Sequence, residues 1–333
     1  MAGYLLHTTS DLAETSTFTS NSANMPLTEL PAIEFLRTPE SRFEGISDYP
    51  FSPHYVQVSN GLRMHYLDEG PKDAPIIMLW HGEPSWSYLY RTMIPPLVQA
   101  GFRVMAPDLI GFGKSDKPIH MEDYSYERYL NWMWDWMDAV SIEQAHLFCQ
   151  DWGGLLGLRM VADQPNRFDR VIAANTILPT GDNPPNEAFQ KWQKFAAEVP
   201  VFPVSNIIQR ATVSELSAET LAAYDMPFPD ESYKAGARIF PALVPVTPDD
   251  PQSQPNRLAW QSLAQRTQPF LTLFSDSDPI MSGLEKLFIK IVPGAKGQPH
   301  TTIPQGGHFL QEDQGPLIAE HIIQFLQQPA SQS

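Results

Sequence analysis

Residues 147–154, which read Leu-Phe-Cys-Gln-Asp-Trp-Gly-Gly, constrain the fold of this chain more than any other stretch. An apolar run ends here, and a helix-like run over residues 155–161 follows, so the pattern predicts a buried strand, a sharp turn and a helix. A turn this tight needs small neighbours, because larger side chains beside the exposed residue would collide. The residue at the tip, Asp151, is therefore predicted to project from the sheet towards a ligand.

The residue types in this turn indicate a particular chemistry. Strand-to-helix turns of this kind that carry a nucleophile usually read Gly-x-Ser-x-Gly, whereas this one reads Cys-x-Asp-x-Gly with the compact Cys149 in first place. An aspartate at the tip points to a covalent ester formed through a carboxylate oxygen. The alternative, from this stretch alone, is that Asp151 only caps the helix that follows.

Charge and cysteine content exclude several classes of partner and site. The formal net charge of −16 argues against nucleic acid and against an anionic membrane surface. A single cysteine excludes an intrachain disulfide, and no Cys/His cluster has zinc spacing, so no metal site is expected. No apolar run approaches membrane length, and the N-terminus lacks the regions of a secretory signal, so a cytoplasmic protein is expected.

Apolar runs that alternate with helix-like stretches predict an α/β fold with a mostly parallel sheet. The buried strands are predicted at residues 76–80, 102–106, 145–149, 171–174, 270–274 and 300–303. Near the beginning, Asn60-Gly61 separates two alternating runs and predicts an antiparallel hairpin. Residues 1–28, rich in Ser, Thr and Asn, are predicted to form a flexible tail.

The alternation stops after Asn175 and returns near residue 270. The stretch between is rich in proline and lacks buried-strand runs. Residues 178–255 are therefore predicted to form a helical cap, inserted into a core of residues 29–177 and 256–333. Insertions in α/β proteins tend to lie over the carboxyl ends of the strands, where ligands bind.

Polar residues follow four of the predicted strands: His81-Gly82-Glu83, Asp151, Asp278 and His308. Because strand carboxyl ends face one crevice in such a sheet, these side chains are expected to meet. The chain order of nucleophile, acid and histidine is that of the α/β-hydrolases.

The acid has two rivals in the sequence. Asp276 follows the same strand as Asp278, but Asp278 lies further past the strand and immediately before a proline, so we prefer it. An acid could also follow the next strand, which comes after the helix that begins at the Asp151 turn (the elbow). That position is Asn175, which carries no charge, so the acid is expected on the later strand.

Taken together, these stretches resemble the haloalkane dehalogenases of the α/β-hydrolase superfamily, over residues 36–326. The matching segments are residues 81–91, 111–118, 150–154, 175, 227–230 and 307–309. The Gln-Asp-Trp-Gly-Gly elbow with His-Gly-Glu-Pro is the most specific part. The resemblance implies an eight-stranded, mostly parallel sheet flanked by helices, no cofactor, and hydrolysis of a haloalkane to a primary or secondary alcohol, halide and a proton through an alkyl ester on Asp151.

The resemblance also implies roles for single residues. His308, oriented by Asp278, takes a proton from the water that hydrolyses the ester, while the backbone N–H groups of Glu83 and Trp152 bind the oxyanion. The indoles of Trp152 and Trp192 hold the halide, as in the subfamily with an Asp-His-Asp triad and two halide-binding tryptophans. Apolar pocket walls are expected from Leu155, Phe189 and Phe240. The expected partners are a small haloalkane, halide and water, in a monomer or weak homo-oligomer.

Three other functions fit parts of the pattern. An epoxide hydrolase shares the aspartate ester but needs cap tyrosines, for which Tyr224 and Tyr233 are present, although Phe240 lies roughly where one such Tyr would be expected. A fluoroacetate dehalogenase is expected to have Arg directly after the nucleophile, where this chain has Trp152. A non-catalytic ligand receptor on this scaffold could lack a triad residue, whereas all three are present here.

Overall fold

A computed structural model describes residues 31–329, so the predicted tail of residues 1–28 lies outside the described part of the chain. Over residues 31–329 the strands are β1 (Phe35–Leu36), β2 (His54–Gln57), β3 (Arg63–Glu69), β4 (Ile76–Trp80), β5 (Arg103–Pro107), β6 (Lys117–Pro118), β7 (Ala145–Gln150), β8 (Phe168–Ala174), β9 (Phe270–Ser275) and β10 (Thr301–Ile303). The α-helices in the same range are α1 (Ile94–Gln99), α2 (Tyr126–Ala139), α3 (Trp152–Asp163), α4 (Glu187–Glu198), α5 (Val204–Arg210), α6 (Ala218–Asp225), α7 (Ala235–Ile239), α8 (Ser253–Leu263), α9 (Glu285–Ile291) and α10 (Leu310–Leu326).

Eight strands form the central sheet, in the order β10-β9-β8-β7-β4-β5-β3-β2. All neighbours from β10 to β5 are parallel, whereas β3 pairs antiparallel with both β5 and β2. β1 and β6 form a separate two-stranded ribbon. The prediction of a mostly parallel eight-stranded sheet is therefore confirmed. The run of β9 is buried along its whole length, as expected for a strand covered on both faces.

The hairpin at the sheet edge is also confirmed. β2 and β3 pair antiparallel, with Gln57 opposite Arg63. The connection turns at Asn60, whose φ of 62° is one that asparagine tolerates better than most residues. Its side-chain oxygen accepts the indole N–H of Trp132 on α2 at 3.2 Å, which ties the turn to the helix layer.

Helices pack against the sheet in two groups. α3 packs against both α2 and α8, and α1 packs on α10. In α2, Ser125 caps the first turn by accepting the N–H of Arg128, and Tyr129, Trp132 and Trp136 form one buried stripe. Burying each of these aromatic side chains stabilises the fold by roughly 2–3 kcal/mol. None of the helices within residues 31–329 is long and apolar enough to cross a membrane.

Two helix predictions differ from the structure at prolines. A helix over residues 88–99 was expected, but a 3₁₀ turn at Ser87–Tyr90 comes first and α1 begins only at Ile94. The prolines in the first turn of α1 explain the late start, because proline fits only the first positions of a helix. The last helix was expected to begin at Pro316, whereas α10 begins at Leu310 and is interrupted locally at Gln314, where φ is −139°.

Candidate active site

The turn between β7 and α3 has a strained backbone at its tip. Asp151 has φ 52° and ψ −128°, a conformation that residues other than glycine rarely adopt. Gly153 lets the turn pack on β4, because a Cβ at this position would lie 2.1 Å from the carbonyl oxygen of Trp80. The Asp151 side chain makes no cap hydrogen bond to α3. The helix-capping alternative is therefore wrong, and the carboxylate points elsewhere.

Both oxygens of the Asp151 carboxylate have partners from other strand ends. Oδ1 accepts the backbone N–H of Glu83 at 2.8 Å, and Oδ2 lies 3.2 Å from Nε2 of His308. Gly82 permits this approach, since a Cβ there would lie 2.1 Å from Asp151 Oδ1. The strand ends of β4, β7 and β10 thus meet at one carboxylate.

His308 lies between two carboxylates. Its Nδ1 donates to Oδ2 of Asp278 at 2.7 Å, while its Nε2 faces Asp151. Asp278 is 1% exposed, and its Oδ1 accepts the N–H groups of Ile280 at 2.8 Å and Met281 at 3.2 Å. The imidazole is therefore oriented by a carboxylate that is itself fixed on its other oxygen.

The electrostatics of this group follow from its burial and its charges. Burial opposes ionisation of His308, but the charge of Asp278 and the hydrogen bonds to Asp151 and Asp278 raise the pKa of His308 to about 10. Burial would raise the pKa of Asp278, yet the charge and hydrogen bond of His308 hold it below its ordinary value. The two carboxylates therefore favour the protonated form of the His308 imidazole.

The rival acid, Asp276, has a different environment. It is exposed, and its carboxylate accepts the N–H groups of Gln305 at 3.0 Å and Gly306 at 3.3 Å. Asp276 thus stabilises the turn after β10, and it makes no hydrogen bond to His308. Of the two aspartates after β9, the structure brings only Asp278 to the histidine.

Two indoles face the cavity above Asp151. Trp152 and Trp192 both line this cavity, and neither indole N–H has a hydrogen-bond acceptor among residues 31–329. Trp152 is held by a parallel ring stack on Phe240, with centroids 4.4 Å apart. Trp192 stacks on Phe195 of the same helix, α4. Two unpartnered donors in an apolar wall suit an anion that can accept hydrogen bonds.

Glu83 contributes to the site in two ways. Its backbone N–H binds Asp151, as described above, and its side chain lines the cavity with Oε1 buried and without a partner in the described part of the chain. Burial and the negative charge of Asp151 raise the pKa of Glu83 well above its ordinary value. Its surroundings therefore favour the neutral form of this carboxyl group. The neighbouring His81 is fully buried and accepts the N–H of Leu109 at 2.9 Å, which is a structural contact.

The cavity has a volume of about 480 Å³ and a mostly apolar wall. Of the three predicted wall residues, Leu155 and Phe189 line it. Phe240 does not; it is fully buried behind Trp152, stacked between that indole and Phe112. Phe240 is thus a support for the indole, because its ring face is already covered on both sides. Further wall residues come from α5 and the loop after β9, among them Ile207 and Ile280.

The tyrosines that an epoxide-opening site would need lie outside this cavity. Neither Tyr224 nor Tyr233 is among the residues that line it. Tyr224 is fully buried, and its hydroxyl donates to Glu312. Within residues 31–329 the cavity therefore lacks a tyrosine donor for a ring oxygen.

Two buried amides hold the histidine loop, and the sequence analysis gave neither of them a role. Asn175, at the end of β8, donates through Nδ2 to the carbonyl oxygens of Gly307 at 2.9 Å and His308 at 3.1 Å. Gln150 donates to the His308 carbonyl at 3.1 Å and lies 3.3 Å from its Nε2. A polar residue that ends a fully buried strand is a signal that could have identified both.

Comparison with known proteins agrees with this geometry. A protein family described as "alpha/beta hydrolase fold" matches residues 75–314 of this chain. A haloalkane dehalogenase of Psychrobacter cryohalolentis is 57% identical over 88% of this chain and 98% of that protein. A haloalkane dehalogenase of Mycolicibacterium paratuberculosis is 52% identical over 88% of this chain and 98% of that protein. The tetrameric structure of haloalkane dehalogenase DpaA from Paraglaciecola agarilytica NO2 is similar at a TM-score of 0.80 and 34% identity, covering 90% of this chain and 100% of that chain.

Proposed function

Because the chain belongs to the haloalkane dehalogenases, with the α/β-hydrolase fold, it is a hydrolase that acts on carbon–halide bonds, and we propose that its reaction proceeds through a covalent ester on Asp151. The observation that carries this proposal is the carboxylate at the elbow tip. One of its oxygens is held by the Glu83 N–H, the other lies beside His308, and an apolar cavity with two free indole donors lies above.

In the first half-reaction, Oδ2 of Asp151 attacks the carbon that bears the halogen. A carbon–oxygen bond forms, the carbon–halogen bond breaks, and its electron pair leaves with the halide. Negative charge develops on the departing halide, which the N–H groups of Trp152 and Trp192 bind. Both indoles line a mostly apolar cavity, where a hydrogen bond to a developing charge is worth more than in water.

In the second half-reaction, water hydrolyses the ester. Esterification removes the negative charge of Asp151, which favoured the protonated imidazole, so His308 can give up its proton. The neutral imidazole then takes a proton from water, and the oxygen attacks Cγ of Asp151. The negative charge then falls on Oδ1, which already accepts the N–H of Glu83. We assign the N–H of Trp152, at the start of α3, as the second donor to this charge. When the intermediate collapses, the alcohol leaves with the oxygen that attacked in the first step. Asp151 keeps the oxygen of water, and a proton is released.

The oxygen balance gives the test. A single turnover of 1-bromobutane in heavy-oxygen water should place the label in the peptide that contains Asp151. Label found only in the butanol after that first turnover would mean direct attack by water. Asp151→Ala should release no halide above background while unfolding at the same temperature as the parent, which separates loss of chemistry from loss of fold.

The organisation around the cavity forms part of the proposal. We assign residues 178–255 as a cap that covers the site, because α4 supplies Phe189 and Trp192 to the wall and α5 supplies Ile207. Hydrogen exchange with and without bound bromide should show protection in α4 and α5. Equal exchange in both states would contradict a substrate-covering role for these helices.

The haloalkane, halide and water are the small molecules that the reaction requires. We further propose a monomer or weak homo-oligomer, located in the cytoplasm. A free, buried Cys149 is compatible with a reducing compartment. Light scattering across a concentration series tests the first statement, since a concentration-independent tetramer would contradict it, and cell fractionation tests the second.

A further inference from the structure

The carboxylate of Asp313 connects the loop that carries His308 to the predicted cap. Asp313 lies in the first turn of α10. Its Oδ2 accepts the N–H of Gly307 at 2.8 Å, and its Oδ1 accepts the N–H of Ser214 at 2.7 Å. Both oxygens also lie within 3.1 Å of the N–H of Val213. One side chain thus accepts donors from the residue before His308 and from a segment about 100 positions earlier in the chain.

The two segments are also in direct backbone contact. The N–H of Phe309 donates to the carbonyl oxygen of Ala211 at 3.2 Å. Gly307 must be a small residue here, because a Cβ would lie 2.4 Å from that same oxygen. Ala211 itself lines the cavity, as does Ile207 of α5. The wall of the substrate cavity and the histidine loop therefore share one contact region.

The loop is held from opposite sides by different parts of the molecule. On the β8 side, Asn175 binds the carbonyl oxygens of Gly307 and His308. On the side of the α5–α6 connection, Asp313 binds the Gly307 N–H. A carboxylate suits this place, because it accepts several N–H donors at once and lies near the positive end of the α10 dipole.

We propose that Asp313 is a positioning residue, which aligns the His308 imidazole with the cavity wall for ester hydrolysis. The proposal rests on the assignment of His308 to the second half-reaction. Asp313 makes no hydrogen bond to Asp151, Trp152 or Trp192, so formation of the ester does not depend on it. Ester hydrolysis does, because a displacement of about 1 Å in the base can reduce a rate by up to about a hundredfold.

The main variants are Asp313→Asn and Asp313→Ala. Asparagine keeps the shape, but it replaces one acceptor oxygen by an NH₂ group that faces N–H donors. With 1-bromobutane, both variants should release about one equivalent of bromide per site at the parent's rate. Steady-state kcat should then fall between about tenfold and a hundredfold. Intact-protein mass should show the butyl ester accumulating, which a purely structural loss of stability would not produce.

A second variant loosens the same bridge from the cap side. Gln209 holds the α5–α6 connection through its bonds to the Ser214 carbonyl and the Leu216 N–H, each at 2.9 Å, and it does not line the cavity. Gln209→Ala should accumulate the ester to a smaller extent. The matched control is Glu320→Gln, which removes an exposed carboxylate from α10 and should behave like the parent.

The outcomes separate this proposal from the proposed function. Asp313→Asn with parent-like turnover overturns it, and so does equal loss of the bromide burst and of turnover in a folded variant. Where neither Asp313 variant folds, Gln209→Ala decides, and turnover without ester accumulation overturns the proposal. His308→Phe is run beside them: if it too fails to accumulate ester, the assignment of His308 has failed. If His308→Phe accumulates ester and the Asp313 and Gln209 variants do not, only the role of Asp313 has failed.

Discussion

Replacing Asp278 by Asn should stop the enzyme after the first half-reaction, because it forces the wrong tautomer on His308. In the parent, Asp278 Oδ1 accepts the N–H groups of Ile280 and Met281, and Oδ2 accepts Nδ1–H of His308. An asparagine that turned its NH₂ towards the two backbone donors would leave both without an acceptor. Each such loss costs about 1–3 kcal/mol, so roughly 2–6 kcal/mol opposes that orientation.

The amide oxygen therefore stays on the backbone donors and the NH₂ group faces His308. Nδ1 must then accept, the ring proton moves to Nε2, and Nε2 can no longer take a proton from water. In a serine protease the same wrong-tautomer change lowers kcat by about 10⁴-fold. We expect a fall in ester hydrolysis of about 10³- to 10⁴-fold, equivalent to about 4–5.5 kcal/mol of barrier. The displacement step transfers no proton and should change little.

The assay is rapid-quench release of bromide from 1-bromobutane, followed by intact-protein mass. Asp278→Asn should give one fast equivalent of bromide and a stable butyl adduct on the peptide that contains Asp151. Asp276→Asn is the matched control, since Asp276 lies two residues earlier but binds Ser277 and the turn after β10 instead of His308. Turnover of Asp278→Asn within tenfold of the parent, or an equal defect in Asp276→Asn, would refute the tautomer argument.

Three further predictions concern the same cavity. His308→Phe should release one equivalent of halide and stall as the alkyl ester; repeated turnover, or no release from a folded variant, would contradict the division into two steps. Trp152→Phe and Trp192→Phe each delete one donor, and each should weaken bromide binding by about 1.5–3 kcal/mol in a fluorescence titration; unchanged affinity in Trp192→Phe would remove that residue from the halide site. Because the pKa of His308 is raised from 6.5 to about 10 in the folded protein, its contribution to stability is complete below about pH 6.5 and is lost as the pH rises through about 10. Urea unfolding should therefore show the parent losing stability relative to His308→Gln over that interval, and a constant difference would show that the charge on His308 does not stabilise the fold.

The sequence alone was sufficient for features that depend on neighbours in the chain. The apolar run, the tip residue Asp151 and the two glycines of the elbow lie within eight positions of one another, and the steric requirements of the turn are local. The alternation of strand and helix patterns was likewise enough for a mostly parallel sheet, because βαβ connections have one favoured hand. The starts of α1 at Ile94 and of α10 at Leu310 were predicted wrongly from the sequence, because each of these helices contains proline.

The direction in which a side chain points, and its partners from distant segments, depended on tertiary packing. Asp276 and Asp278 are two positions apart, yet one binds a turn at the surface and the other is buried against His308. Phe240 was predicted to face the substrate, but it packs behind Trp152 because that indole and Phe112 cover both ring faces. No local pattern indicates that Asp313 accepts the N–H of Ser214. Such a contact exists only after two segments about 100 residues apart have packed against each other.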